Sequence, residues 1–153
     1  MMRVLILAAL LAQLGLAQLP FGFGLKGGAV RAEGASPAIT GGPYLELKIP
    51  FLISVESGVL FKRFDYAGRS QTAYEIPILL KKRIGPFPVQ PFLSGGATIR
   101  NAQRTDTGFT VGAGVTFNAL LIKVEPELRY TRYPGGTLPR SQNQTEILVG
   151  FRF

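Results

Sequence analysis

Beyond residue 20 the chain repeats one pattern, in which apolar and polar residues take turns with a period of two. That period places successive side chains on opposite faces of an extended strand, whereas a helical stripe would recur about every 3.6 residues. The clearest instance sets Phe109, Val111, Ala113, Val115 and Phe117 against Thr110, Gly112, Gly114 and Thr116. Eight such segments are predicted, at about 20–30, 43–49, 52–63, 72–82, 89–99, 108–117, 120–132 and 145–153.

In the last segment Thr145, Ile147, Val149, Phe151 and Phe153 share one face, with Glu146, Leu148, Gly150 and Arg152 on the other. An apolar strand left at a sheet edge invites aggregation. Closing the sheet into a barrel removes the edge, and a bilayer accepts the apolar face. The connections fit that geometry. Long ones are expected at Arg31 to about Gly42, Asp65–Gln71, Arg100–Thr107 and Tyr133–Gln142. Short ones are expected at Ile49-Pro50-Phe51, Ile84–Pro88 and Asn118-Ala119. Long and short therefore alternate. Charges avoid the apolar parity except at strand ends, where Arg63, Lys82 and Arg132 sit. With both termini at one end, Phe21, Phe117, Phe151 and Phe153 gather there, and Phe61, Tyr74, Phe109 and Tyr130 gather at the other. Two aromatic girdles mark the two interfaces of a membrane-spanning barrel.

The opening Gly22-Phe23-Gly24-Leu25-Lys26-Gly27-Gly28, the strand Tyr74-Glu75-Ile76-Pro77-Ile78-Leu79-Leu80 and the aromatic terminus come in an order that resembles the small bacterial outer-membrane β-barrel family. The resemblance covers nearly all of residues 18–153. It implies an all-β, eight-stranded antiparallel up-and-down transmembrane barrel with periplasmic termini. It also implies a monomer without cofactor or metal, whose role is structural, adhesive or loop-mediated binding rather than enzymatic. Phe151 and Phe153 would be the insertion signal that the barrel-assembly machinery reads. One misfit is the set of prolines inside strands, because Pro43, Pro77, Pro91 and Pro126 each remove a ladder donor.

Residues 1–17 stand apart as an expected signal peptide. Arg3 precedes the apolar run Val4–Ala12, and Gly15-Leu16-Ala17 offers a cleavage site before Gln18. Cleavage leaves the domain 18–153, exported to the outer membrane, and the loss of Arg3 lowers the net charge from +8 to +7. No later stretch is long and apolar enough for a transmembrane helix, which needs about 20 residues.

Composition narrows the chemistry. Cysteine and histidine are both absent, which removes disulfides, thiol nucleophiles, Ser-His triads and histidine-based zinc sites. An outer-membrane hydrolase is correspondingly disfavoured. Lys81-Lys82-Arg83 is the longest basic run, too little for a nucleic-acid partner. Gly22, Gly24 and Gly27 match the spacing of a dinucleotide fingerprint but fall inside a strand, where that motif needs a strand before it and a helix after. A secreted lipocalin-like barrel carrying an apolar ligand is the alternative, and it would turn the apolar face inward.

The polar parity carries nearly balanced charge. Lys26, Lys48, Lys62, Lys81, Lys123, Arg129 and Arg152 face Glu46, Glu56, Glu75, Glu125, Glu127 and Glu146. A narrow eight-stranded barrel is filled by its own side chains, so these residues are expected to form an interior ion network. Glu125 and Glu127 lie about 6.5–7 Å apart on one strand face, a spacing that glycosidases also use. Lys123 and Arg129 bracket them, which favours structural pairing. Near the long loops Arg31, Arg63, Arg69, Arg100, Arg104, Arg132 and Arg140 outnumber Glu33, Asp65 and Asp106. Of these, Arg100, Arg104 and Arg140 are candidate contacts to lipid phosphates, lipopolysaccharide included, because a guanidinium can donate two hydrogen bonds at once.

Overall fold

A computed structural model describes residues 20–49, 53–66, 68–102, 104–119, 121–134 and 142–153. The expected signal peptide, with its cleavage site at Ala17, and Arg140 lie outside these residues. Nine extended segments follow in order: β1 (Phe21–Ala32), β2 (Ala38–Ile49), β3 (Ile53–Gly58), β4 (Leu60–Tyr66), β5 (Arg69–Arg83), β6 (Val89–Asn101), β7 (Thr105–Ala119), β8 (Ile122–Arg132) and β9 (Asn143–Arg152). β3 and β4 are two halves of one strand parted at Val59, so the sheet has eight strands. All pairings are antiparallel between chain neighbours, and β1 pairs with both β2 and β9. The sheet closes on itself. At the seam Gly24 faces Arg152, and the Phe153 amide donates to the Phe23 carbonyl at 3.0 Å.

Two prolines explain the break at Val59. In an antiparallel hydrogen-bonded pair each residue gives one N–H and accepts one. The Val59 amide donates to the Pro43 carbonyl at 3.0 Å, but Pro43 has no N–H to return. On the other side the ladder with β5 lapses between the pairs Ser57↔Ile78 and Leu60↔Glu75, where Pro77 stands. Pro126 opens a similar lapse between β7 and β8, from Gly114↔Glu127 to Phe117↔Val124. Pro91 sits where β6 begins, and its carbonyl accepts from the Ile84 amide at 2.8 Å. Beside Val59 the outer wall carries an apolar depression of about 570 Å³, with Phe23, Pro43 and Ile76 in its lining.

The two faces separate cleanly. Leu25, Leu45, Leu47, Leu80, Val111, Leu128 and Ile147 point outward and are exposed. So do the aromatics of both ends, among them Phe21, Phe117, Phe151, Phe61, Phe109 and Tyr130. The lipocalin-like alternative needs the reverse arrangement and is excluded by this orientation.

The connections differ from expectation. The stretches Arg31–Gly42, Asp65–Gln71 and Arg100–Thr107 are mostly strand, leaving 33–37, 67–68 and 102–104 as connections. β8 ends at Arg132 and β9 begins at Asn143, the strand ends that the sequence suggests to within two residues. Ladder pairing continues through the shortened regions, as in Val30↔Ala38 and Tyr66↔Arg69, and satisfies backbone groups that a loop would expose. Gly/Ala/Ser/Pro-rich composition in the first stretch and polar composition in the third point to loops, but neighbours already in register hold them extended.

Candidate functional site

The even positions of β1 to β4, β6, β7 and β9, and the odd positions of β5 and β8, turn inward, and this parity carries nearly all the buried charge. The interior is layered from the end where β1 begins and β9 finishes, the terminal end, to the opposite end.

In the first layer Arg83 spans two carboxylates, with Nη1 at 2.7 Å from Glu46 Oε1 and Nη2 at 2.7 Å from Glu125 Oε1. Arg152 contacts the same pair, at 3.2 Å from Glu125 and in close contact with Glu46. Arg83 also donates to Ser54 Oγ at 3.1 Å and to Thr116 Oγ1 at 3.2 Å, which fixes the guanidinium plane. Thr116 in turn donates to Glu125 at 2.9 Å.

Lys81 links this layer to the next. Its ammonium lies 3.4 Å from Glu46, 3.2 Å from Glu125 and 2.6 Å from Glu56. Oxygens of these three carboxylates fall within 4.8 Å of one another, a grouping that suits a metal ion. Lys81 supplies the positive charge there instead. In the second layer Lys26 joins Glu56 at 2.5 Å and Glu127 at 2.9 Å, while Arg129 joins the same two at 2.9 and 2.8 Å. Two cations and two anions thus form a closed quartet. Tyr44 and Phe92 line it with their rings, under Lys26 and Lys81 respectively.

This quartet needs room. A Cβ at Gly112 would meet Ser94 Oγ at 2.5 Å and Glu127 Oε1 at 2.8 Å. Glycine on the inward parity therefore gives Ser94 its bond to Glu127, at 2.9 Å, and gives the carboxylate its place.

In the third layer Lys62 pairs with Glu75 and Glu146, and Gln144 donates to both. Arg100 stands beside Asp106 at 3.3 Å and over the Tyr133 ring at 3.9 Å. Beyond these, Val30, Ala32, Phe64 and Ala73 form an apolar cap, with Ala35, Ala38 and Ala102 packed on it.

Of the residues expected in the network, Lys26, Glu46, Glu56, Lys62, Glu75, Lys81, Glu125, Glu127, Arg129, Glu146 and Arg152 are buried and paired. Lys48 and Lys123 are not. They stand at the mouth of the barrel, and among the described residues neither forms an ion pair. The expected Lys123 partnership with Glu125 is replaced by Arg83 and Arg152. Arg100 is also corrected, since it is buried inside the barrel rather than placed on a loop. Arg104 is exposed as expected. Arg83 and Arg100 each lie one residue past the strand ends that the sequence predicts, at 82 and 99. The inward parities of β5 and β6, carried one step further, reach both.

No family model and no curated protein sequence matches the chain. Solved structures do. Neisserial surface protein A aligns over 87% of this chain and 96% of its own at a TM-score of 0.75, with 14% identity. The N-terminal β-barrel domain of Pseudomonas aeruginosa OprF gives 0.56 at 12% identity, over 86% of this chain and 97% of that one. Ail, the attachment invasion locus protein of Yersinia pestis, gives 0.53 at 15%, over 87% and 96%. The fold is that of the small eight-stranded outer-membrane β-barrels.

Proposed function

We propose that this chain is an integral protein of the bacterial outer membrane, non-enzymatic, with a plugged interior and a structural or surface-contact role. One observation carries this reading: an exterior belt of exposed apolar residues, ringed by aromatics at both ends, encloses an interior of paired charge. Water would not tolerate such an exterior without association, whereas a bilayer requires it. Inside, the Glu125 and Glu127 carboxylates are each engaged by arginine and lysine, which leaves a poor setting for acid–base work. The quartet of Lys26, Arg129, Glu56 and Glu127 and the apolar cap obstruct an ion path along the axis.

Surface contact belongs to the end opposite the termini. Three of the connections there are short, and Arg31, Arg63, Arg104 and Arg132 stand exposed at that end. Their charge suits the phosphates of outer-leaflet lipid, lipopolysaccharide included. Fractionation of cells tests the whole reading. The chain should appear in the outer-membrane fraction and migrate faster on a gel unheated than boiled. Recovery as a soluble periplasmic protein would reject it.

A further inference from the structure

We infer that the mouth at the terminal end of the barrel is a binding site for a phosphate oxyanion, free or as part of a head group. A cavity of about 240 Å³ opens there, lined by Lys48, Ile49, Ile53, Arg83, Lys123 and Arg152, with Gln90 at its edge. The four cations come from four separate strands, β2, β5, β8 and β9. Lys123 and Arg152 face each other in the ladder between β8 and β9.

Positive charge is in excess at this level and nowhere deeper. Lys48, Lys81, Arg83, Lys123 and Arg152 gather around Glu46 and Glu125, and Lys81 is also shared with Glu56. The next layer, Lys26 and Arg129 with Glu56 and Glu127, is neutral. The excess positive charge therefore collects where the barrel opens to solvent, around a cavity with the room to hold an anion and a few waters. Arg83 and Arg152 are held in place by their carboxylates, so the frame is built before the ligand arrives. Lys48 and Lys123 have no carboxylate in contact and supply the unspent charge. A tetrahedral oxyanion carrying up to two charges can accept from several of these donors at once, which a singly charged carboxylate does less well. Low-dielectric walls strengthen the attraction.

The test uses purified, folded barrel in zwitterionic detergent, titrated calorimetrically with inorganic phosphate at low salt. Wild type should show one saturable site. The variant Lys48→Gln/Lys123→Gln should bind at least about tenfold more weakly, the effect of losing about 1.4 kcal/mol. Lys48→Arg/Lys123→Arg should retain binding. Lys82→Gln, which removes an exposed cation at the same end but outside the cavity, should bind as wild type does. Repeating the titration in nanodiscs separates the sources. Weaker phosphate binding in phosphatidylglycerol than in phosphatidylcholine discs assigns the site to a lipid head group, and equal binding assigns it to free phosphate. Absence of saturable binding by wild type, or equal affinity of wild type and the Gln pair, overturns the proposal. A barrel that folds, resists detergent and binds no phosphate would reject this site alone and leave the outer-membrane reading standing.

Discussion

The ammonium of Lys81 lies 2.6 Å from Glu56 Oε2, and through the same nitrogen it reaches Glu46 and Glu125. One lysine thereby occupies the centre of three carboxylates, where a bound cation would otherwise be needed. Replacement by alanine should leave those carboxylates with unbalanced charge in a buried setting and destabilise the barrel by about 3–5 kcal/mol. Calcium should restore part of the loss, since three carboxylate oxygens within 4.8 Å of one another and the vacated space suit a cation. Urea unfolding of Lys81→Ala with and without calcium checks both expectations. A midpoint unchanged from wild type would show the interior to be solvated.

Glu125 gives a second test of the same network. It accepts from Arg83 and Thr116 and contacts Arg152, so Glu125→Ala leaves two buried guanidinium groups to share the single carboxylate of Glu46. The expected loss is about 3–5 kcal/mol. Lys123→Ala, by contrast, removes no ion pair and should shift the urea midpoint little. Equal losses from the two substitutions would contradict the pairing.

The interior was largely legible in the sequence because parity survives any error in strand length. A residue two positions along a strand faces the same way, so eleven of the thirteen expected charges arrive in the network. Strand ends were less legible. Arg83 and Arg100 lie beside Gly/Pro or polar connections, and only the partners across the ladder, Phe92 and Asp106, show that pairing persists there. The apolar cap was hidden for a similar reason. Ala32, Ala35 and Ala38 sit in a stretch whose composition speaks for a loop, and their burial depends on Phe64 and Ala73 from distant strands.

The break at Val59 predicts a gain. Pro43→Val would return the missing donor to the Val59 carbonyl on an outward, exposed position that tolerates a β-branched side chain. One restored ladder bond should add about 1 kcal/mol to stability. Hydrogen exchange should slow at the backbone amides around residues 43 and 59. Unchanged stability and exchange would place the cause of the break elsewhere.

Phe153 closes the seam as well as carrying an aromatic ring. Its amide donates to the Phe23 carbonyl, and the two rings lie 6.0 Å apart. Deleting Phe153 should leave export and processing intact while lowering the amount of heat-modifiable protein in the outer membrane. Normal assembly of the shortened chain would remove both the seam and the insertion signal as requirements.

The placement of the apolar belt in lipid is open to direct measurement, because the chain has no cysteine and a single one can be introduced anywhere. Spin labels at Leu80, Leu93 and Leu128, all outward and exposed, should collide freely with oxygen and hardly at all with a water-soluble nickel complex when the barrel is in a bilayer. Collision of all three labels with the nickel complex, at the rate of a label on an exposed loop, would contradict a membrane-spanning barrel.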